Sequence, residues 1–307
     1  MPKLVEHYGE PYADSSCIPT YYVAKITRQH VTVALNGDGG DELFAGYDRY
    51  VAMYLSRWYN RVPGVLRRAF IEPAVNLLPH NRHNKNTVTR FQRFLKGTYL
   101  PVAARYLHWV SICDTDFQDR LYSEGFKKML AGISGPQRIL SPFFDGRQGC
   151  KLIDLLLCAD TNTYLPNDLL VKVDIATMAN SLEARSPFLD HRLIEFVVSL
   201  RPDFKMKYLI KKYLIKNVIK DFIPAENIHR QKMGFGVPVG KWFRNEMKDF
   251  LTGRLLSEKS LGRGYFDAGF IRGIVRQHLE GRADYSYQLW ALLMLELWHN
   301  RFIDNHA

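Results

Sequence analysis

Hydrophobic and polar positions along this chain follow two rhythms, and the change between them falls near residue 36. Residues 16–30 (SCIPTYYVAKITRQH) set Ile18, Tyr22, Val23 and Ile26 at helical spacing, behind a serine suited to a helix N-terminus and a proline in the first turn. VTVALN (31–36) follows, a short β-branched run fit for a buried parallel strand, and then NGDGGDE (36–42), in which three glycines are interspersed with three acids. Beyond Glu42 the pattern is almost all helical: LFAGYDRYVAMYLSRWYN, TRFQRFLKGTY, PVAARYLHWVSIC, CKLIDLLLCADTNTYL, HRLIEFVVSL and a last helix over 284–303. KMKYLIKKYLIKNVIKDF (205–222) reads as an amphipathic helix, with Leu209, Ile210, Tyr213, Leu214 and Val218 on the apolar stripe and the lysines on a solvated face. Segments 77–88 and 130–137 read as exposed loops, and there is no internal repeat.

Helix, strand, loop, helix is half of an α/β unit. A parallel strand needs neighbours, yet the residues before Val31 offer no further strand of quality. The expected fold is therefore α/β but predominantly helical, with a parallel sheet that lacks its first strands. Either the sheet is tiny or the chain is a fragment.

Composition narrows the setting. At 307 residues, 47% hydrophobic and 24% charged, the chain can bury a substantial core. Cys17, Cys113, Cys150 and Cys158 form no Cys-x-x-Cys pair, which argues against a disulfide framework or a zinc knuckle and for a reducing, cytoplasmic setting. The start of the chain has no signal-peptide core, and no stretch approaches the roughly 20 apolar residues a membrane span needs. LWALLMLELW (289–298) carries Glu296 and reads as a buried helix. A net charge of +11 fits an anionic partner without choosing one, and a solvated helix face explains most of the lysines. His80 and His83, beside Arg82 and Lys85 and without nearby acids, read as a polar connector rather than a metal site.

Spacing tests exclude several chemistries for NGDGGDE. The dinucleotide fingerprint fails at Glu42, where its third glycine should stand; no Gly-Lys-Ser or Gly-Lys-Thr follows for a Walker loop; and a calcium loop starting at Asn36 finds Tyr47 at its twelfth position. Two readings remain from the residues alone. One is a ligand loop at the C-terminal end of a strand, its glycines permitting close backbone approach and its acids suited to Mg²⁺ with substrate phosphates. The other is a surface turn with solvated acids.

Four blocks in order then carry a resemblance over essentially the whole chain. LNGDGGDELFAGYDRY (35–50), EPYADSSCIPTYYVAK (10–25), DLLVKVDIATMANSLEARSPFLDHRL (168–193) and HRQKMGFGVPVGKWFR (229–244) resemble segments of glutamine-hydrolysing asparagine synthetases, and LWALLMLELW fits as well. The resemblance implies a single synthetase-type domain over residues 1–307 on an adenine-nucleotide-hydrolase-like (ATP pyrophosphatase) sheet, followed by a helical region. The implied activity uses ATP and Mg²⁺ to activate the aspartate side-chain carboxylate as an acyl-adenylate, which ammonia derived from glutamine converts to asparagine, with AMP and pyrophosphate released. By position, Asp41 resembles the Mg²⁺-binding aspartate and Asp38 the acid that takes a proton from ammonia. Gly37, Gly39 and Gly40 would bring the backbone close to the adenylate. Lys232 resembles the pyrophosphate-contacting lysine, and Arg230 stands in support of it. Asp174, Glu183, Arg185 and Asp190, with Lys172 beside them, are expected to form a partly buried ion-pair network. Asp14, Ser15 and Ser16 match a segment near the nucleotide site, although a helix cap explains the serines.

Three departures accompany the match. The Ser-Gly-Gly-x-Asp-Ser pyrophosphate loop does not occur in these residues, no catalytic cysteine follows Met1 to begin a glutaminase domain, and Asn36 replaces the usual serine. The expectation is a synthetase part whose missing portions lie in a longer protein or a separate chain, and which makes no asparagine alone. Asp38, where β-lactam-forming relatives have tyrosine, points to ammonia as the nucleophile. Other carboxylate acceptors, or a non-catalytic helical binding module, are the competing readings; neither nucleic acid nor membrane is expected as a partner.

Overall fold

The computed structural model of the chain describes residues 2–77, 87–147, 149–230 and 234–304. His80 and His83 lie outside these residues, as do Lys232 and most of the 77–88 segment. The described chain is mostly helical around two very small sheets. Strands β1 (Val33–Leu35) and β2 (Glu183–Arg185) pair in parallel, with Val33 opposite Glu183, Ala34 opposite Ala184 and Leu35 opposite Arg185. The strand predicted from VTVALN is thus present and parallel, but it is not buried. Val33 is 39% and Leu35 73% exposed, so among the described residues nothing covers that face.

The helix Cys17–Thr27 forms where the periodicity placed it, but its inward face differs from the expected stripe. Cys17 and Ala24 are buried, whereas Tyr22, Val23 and Ile26 face solvent. The helix packs on Leu170–Met178, the helix that leads into β2. Ile18 and Tyr21 pack partly buried against the core, while Tyr22, Val23, Ile26 and the open face of β1 are bare.

Residues 205–222 are a correction. Met206–Lys207 (β3) and Ile210–Lys211 (β4) form an antiparallel hairpin, and only Tyr213–Val218 continues as α-helix. Tertiary pairing overrides helix propensity here. Lys205 is buried and its Nζ lies 2.9 Å from Asp154 Oδ1, Lys211 pairs with Asp48, and Lys212 pairs with Asp41. These three lysines are held by carboxylates on other elements instead of standing on one solvated face.

The largest core forms around the helix Ser286–Trp298, where Leu289, Trp290, Leu293 and Met294 are fully buried against Phe243, Leu251 and Ile274. Full burial of one such side chain contributes about 1.5–3 kcal/mol, so this helix anchors the C-terminal half. Glu296 is tolerated because Arg263 clasps it with two bonds, of 2.7 and 2.9 Å, and also holds Asp304. A second core, with Tyr50, Met53, Tyr106 and Leu156, sits beneath the acidic loop's following helix, Asp48–Tyr59.

Candidate functional site

Both strands of the parallel pair end on the same side, and the loops that leave them meet there. The Asn36 N–H donates to Arg185 O at 2.9 Å, prolonging the ladder by one residue, and the Asn36 side-chain oxygen then accepts from the Asp38 N–H at 3.3 Å and from the Ser186 hydroxyl. One amide side chain therefore ties the acidic loop to the turn after β2. The carboxamide does this with an oxygen that reaches both partners.

Gly39 has φ of 85°, in the left-handed region, and a Cβ there would lie 2.3 Å from Leu189 Cδ2. Gly40 stands against the ring of Phe188 at 3.3 Å by the same measure. These two glycines let the loop lean on the Pro187–Leu189 turn. Gly37 is different. It is exposed, and a Cβ there would meet nothing within 4 Å, so its backbone borders open space.

Asp38 lines a cleft of about 400 Å³ shared with Asn36, Pro166, Leu170, Asp174 and Ser186. Its Oδ2 is buried and takes no hydrogen bond among the described residues. Burial pushes its carboxyl up from the ordinary value; the Lys172 ammonium opposes that shift and the Asp41 charge adds to it. Asp41 opens the short helix Gly40–Leu43 and pairs through Oδ1 with Lys212 Nζ at 2.7 Å. The next residue, Glu42, is buried and accepts from the Tyr47 hydroxyl.

Lys172 is the buried cation on the other side of the loop. Its Nζ lies 2.7 Å from Asp14 Oδ2, and Asp14 also accepts from the Ser16 N–H (2.9 Å) and hydroxyl (2.6 Å). Ser16 does hold the N-cap position of its helix, but its side chain makes no cap bond. It serves the Asp14–Lys172 pair instead. The network expected among residues 174–190 is not one unit: Glu183–Arg185 and Asp190–Arg192 are separate, solvent-exposed pairs, each between residues two apart. Asp190 instead caps the helix His191–Ser199 by accepting from the Arg192 N–H.

A larger cavity of about 970 Å³ lies past the π-helical turn Leu165–Leu169 and includes Tyr47, Arg49, Asp160, Tyr164 and Asp168. Arg49 pairs with Asp160 at 2.7 Å and lies 3.8 Å over the Tyr47 ring. Asp160, 1% exposed, also accepts from the hydroxyls of Tyr50 and Tyr106. Tyr47 connects this cluster to Glu42 of the loop.

The structure thus gathers Asp38, Asp41 and the three loop glycines at one strand terminus. Arg230 is exposed at the C-terminal end of the helix Ala225–His229. Sequence reasoning missed Lys212, whose place in a lysine-rich run gives no sign of its partner, and Phe188 and Leu189, on which the glycines rest. Among the described residues no group of three or more His, Cys, Asp or Glu side chains is placed to hold a metal.

The asparagine synthase family model matches residues 1–300. The chain is 30% identical over 304 residues to asparagine synthetase [glutamine-hydrolyzing] 1 of Bacillus subtilis, covering 98% of this chain and 45% of that protein. A putative asparagine synthetase [glutamine-hydrolyzing] of Mycobacterium bovis is 30% identical over 311 residues, 99% of this chain and 45% of its own length. A Penicillium rubens protein named amidase chyE is 26% identical over 239 residues, 71% of this chain and 34% of its own. The chain spans less than half the length of these relatives.

Proposed function

The chain belongs to the asparagine synthase family, and from that premise we propose that it carries the amidating half of an ATP-dependent reaction on aspartate. The observation that carries this reading is Asp38: a carboxylate at the C-terminal end of a parallel strand, facing a cleft, with one buried oxygen that has no partner among the described residues. The sheet, small as it is here, is read as part of an adenine-nucleotide-hydrolase-like one. In the proposed reaction the aspartate side-chain carboxylate attacks the α-phosphorus of ATP and pyrophosphate leaves. Ammonia then attacks the acyl carbon of the adenylate, Asp38 receives the proton that nitrogen gives up, and AMP departs with the electrons of the acyl–oxygen bond. Burial raises the proton affinity of Asp38, which suits a base.

The donor set fits a hard divalent cation such as Mg²⁺. Carboxylate oxygens are the ligands available, and Mg²⁺ typically takes one or two of them, with waters and substrate phosphates completing its shell. Asp41 is the residue assigned to hold it; when bound, the cation would offset polyphosphate charge. Exposed Gly37 leaves room for the adenylate beside the loop. Lys232 and Arg230 are assigned to the pyrophosphate side. Ammonia from glutamine, and the Ser-Gly-Gly-x-Asp-Ser cradle, are assigned to a portion outside these residues, in a longer protein or a separate chain. A cytoplasmic setting accords with the reduced cysteines expected, and no described helix is long and apolar enough to cross a membrane.

A second reading, amidation of a carboxylate other than aspartate, draws on the relative named an amidase and on the 970 Å³ cavity next to the loop. Aspartate-dependent exchange of pyrophosphate into ATP separates the two. With the missing portion supplied, Asp38→Asn should keep that exchange and lose amide formation, whereas Asp41→Asn should lose both. Amide formation undiminished in Asp38→Asn would overturn the reading.

A further inference from the structure

The β3–β4 hairpin grips the segment that carries the acidic loop at three points. The Lys212 N–H donates to Phe44 O at 3.0 Å, Lys212 Nζ meets Asp41 Oδ1 at 2.7 Å, and Lys211 pairs with Asp48. Gly46 makes the middle contact possible. A Cβ on that residue would lie 1.7 Å from Asp41 Oδ1 and 2.6 Å from Lys212 Cε, so the pair is seated against bare backbone. The two side chains are 34% and 19% exposed, which leaves the pair within reach of solutes.

One carboxylate cannot serve an ammonium and a divalent cation equally, because the two positive groups repel at such separations. A polyphosphate changes the balance by offering the ammonium another set of oxygens. We infer that Lys212 is an internal counter-ion of the acidic loop: it holds Asp41 while no polyphosphate is present, and turns to phosphate oxygens when one arrives, so that Asp41 accepts a divalent cation only together with the anion. This rests on the assignment of Asp41 as the cation-holding residue. It adds the residue that makes cation entry conditional.

The 307-residue chain itself supplies the test, with Mn²⁺ as a paramagnetic probe titrated by EPR and inorganic tripolyphosphate titrated separately by calorimetry. Lys212→Met should bind Mn²⁺ alone about tenfold more tightly than the wild type and tripolyphosphate alone about tenfold more weakly. Lys212→Arg, which keeps the charge, should follow the wild type in both. Lys212 has φ of 53°, and asparagine tolerates that region, so Lys212→Asn repeats the neutral variant if the methionine chain does not fold. The gain in Mn²⁺ affinity should vanish in Lys212→Met/Asp41→Asn. Equal Mn²⁺ affinity in wild type and both neutral variants overturns the inference; if Asp41→Asn still weakens that binding, the cation assignment survives alone, and if it changes nothing, both fall.

Discussion

The ammonium of Lys172 stands 2.7 Å from Oδ2 of Asp14, joining positions 158 residues apart beside the acidic loop. Burial by itself would raise the Asp14 carboxyl, but the Lys172 charge and the hydrogen bonds from Lys172 and Ser16 outweigh it and hold the group below the ordinary carboxylate range. A carboxyl depressed by folding contributes stability that is fully present above its unfolded value, about 3.9, and is lost as pH falls through the lower folded value. Urea denaturation between neutral and acid pH should show this loss in the wild type and a shallower one in Asp14→Asn. Lys172→Met, which leaves the partly buried Asp14 carboxylate with only its Ser16 bonds, should cost about 1–3 kcal/mol at neutral pH.

Asp160 offers a sharper case, because its 1% exposed carboxylate takes Arg49 and two tyrosine hydroxyls at once. Asp160→Ala should destabilise the fold by about 3–5 kcal/mol, since it strands a largely buried guanidinium. Guanidinium melts followed by tyrosine fluorescence would measure it. A loss below about 1 kcal/mol would mean that water reaches the Asp160 carboxylate and shares its hydrogen bonds.

The glycines of the loop should separate by role. Gly39→Ala meets both the left-handed backbone and the Leu189 methyl, and about 1–2 kcal/mol of stability should be lost from the backbone alone. Gly37→Ala should leave the melting temperature within about 1 °C, as expected where a surface change moves stability by less than about 0.5 kcal/mol. Under the proposed function its cost falls on adenylate formation, measured as pyrophosphate exchange in the completed enzyme.

The two-residue turn of the hairpin is strained: Tyr208 and Leu209 have φ of 50° and 64°. Such a turn favours Asn-Gly, and a left-handed non-glycine residue costs about 1–2 kcal/mol. Tyr208→Asn/Leu209→Gly should therefore raise the thermal midpoint. A fall would show that the Tyr208 ring, 5.4 Å from Lys207 Nζ, matters more than the backbone.

Much of the fold could be read in the chain because the relevant signals were local. The strand before the loop, the helix after Ser16 and the buried helix around Trp290 all followed from period and punctuation. What could not be read depended on partners far away. The inward face of the Cys17–Thr27 helix was decided by its contact with Leu170–Met178, which leaves Tyr22, Val23 and Ile26 facing outward. The run 205–222 has helical period, but Asp41, Asp48 and Asp154 each capture one of its lysines and the chain reverses to meet them. At the site, Asp38 and Asp41 stood out by their spacing with glycine. Lys212 did not, since a lysine among lysines has no local mark until its carboxylate is placed.

The rest of the loop on Phe188 and Leu189 has a practical outcome for anyone surveying variants. Under the proposed function, a truncation at position 188 removes the ring on which Gly40 and Phe44 rest, so a screen that scores product should report a larger loss there than a screen that scores protein abundance alone. Where two such surveys disagree along residues 186–190, the discrepancy itself traces how far the acidic loop depends on the turn beside it.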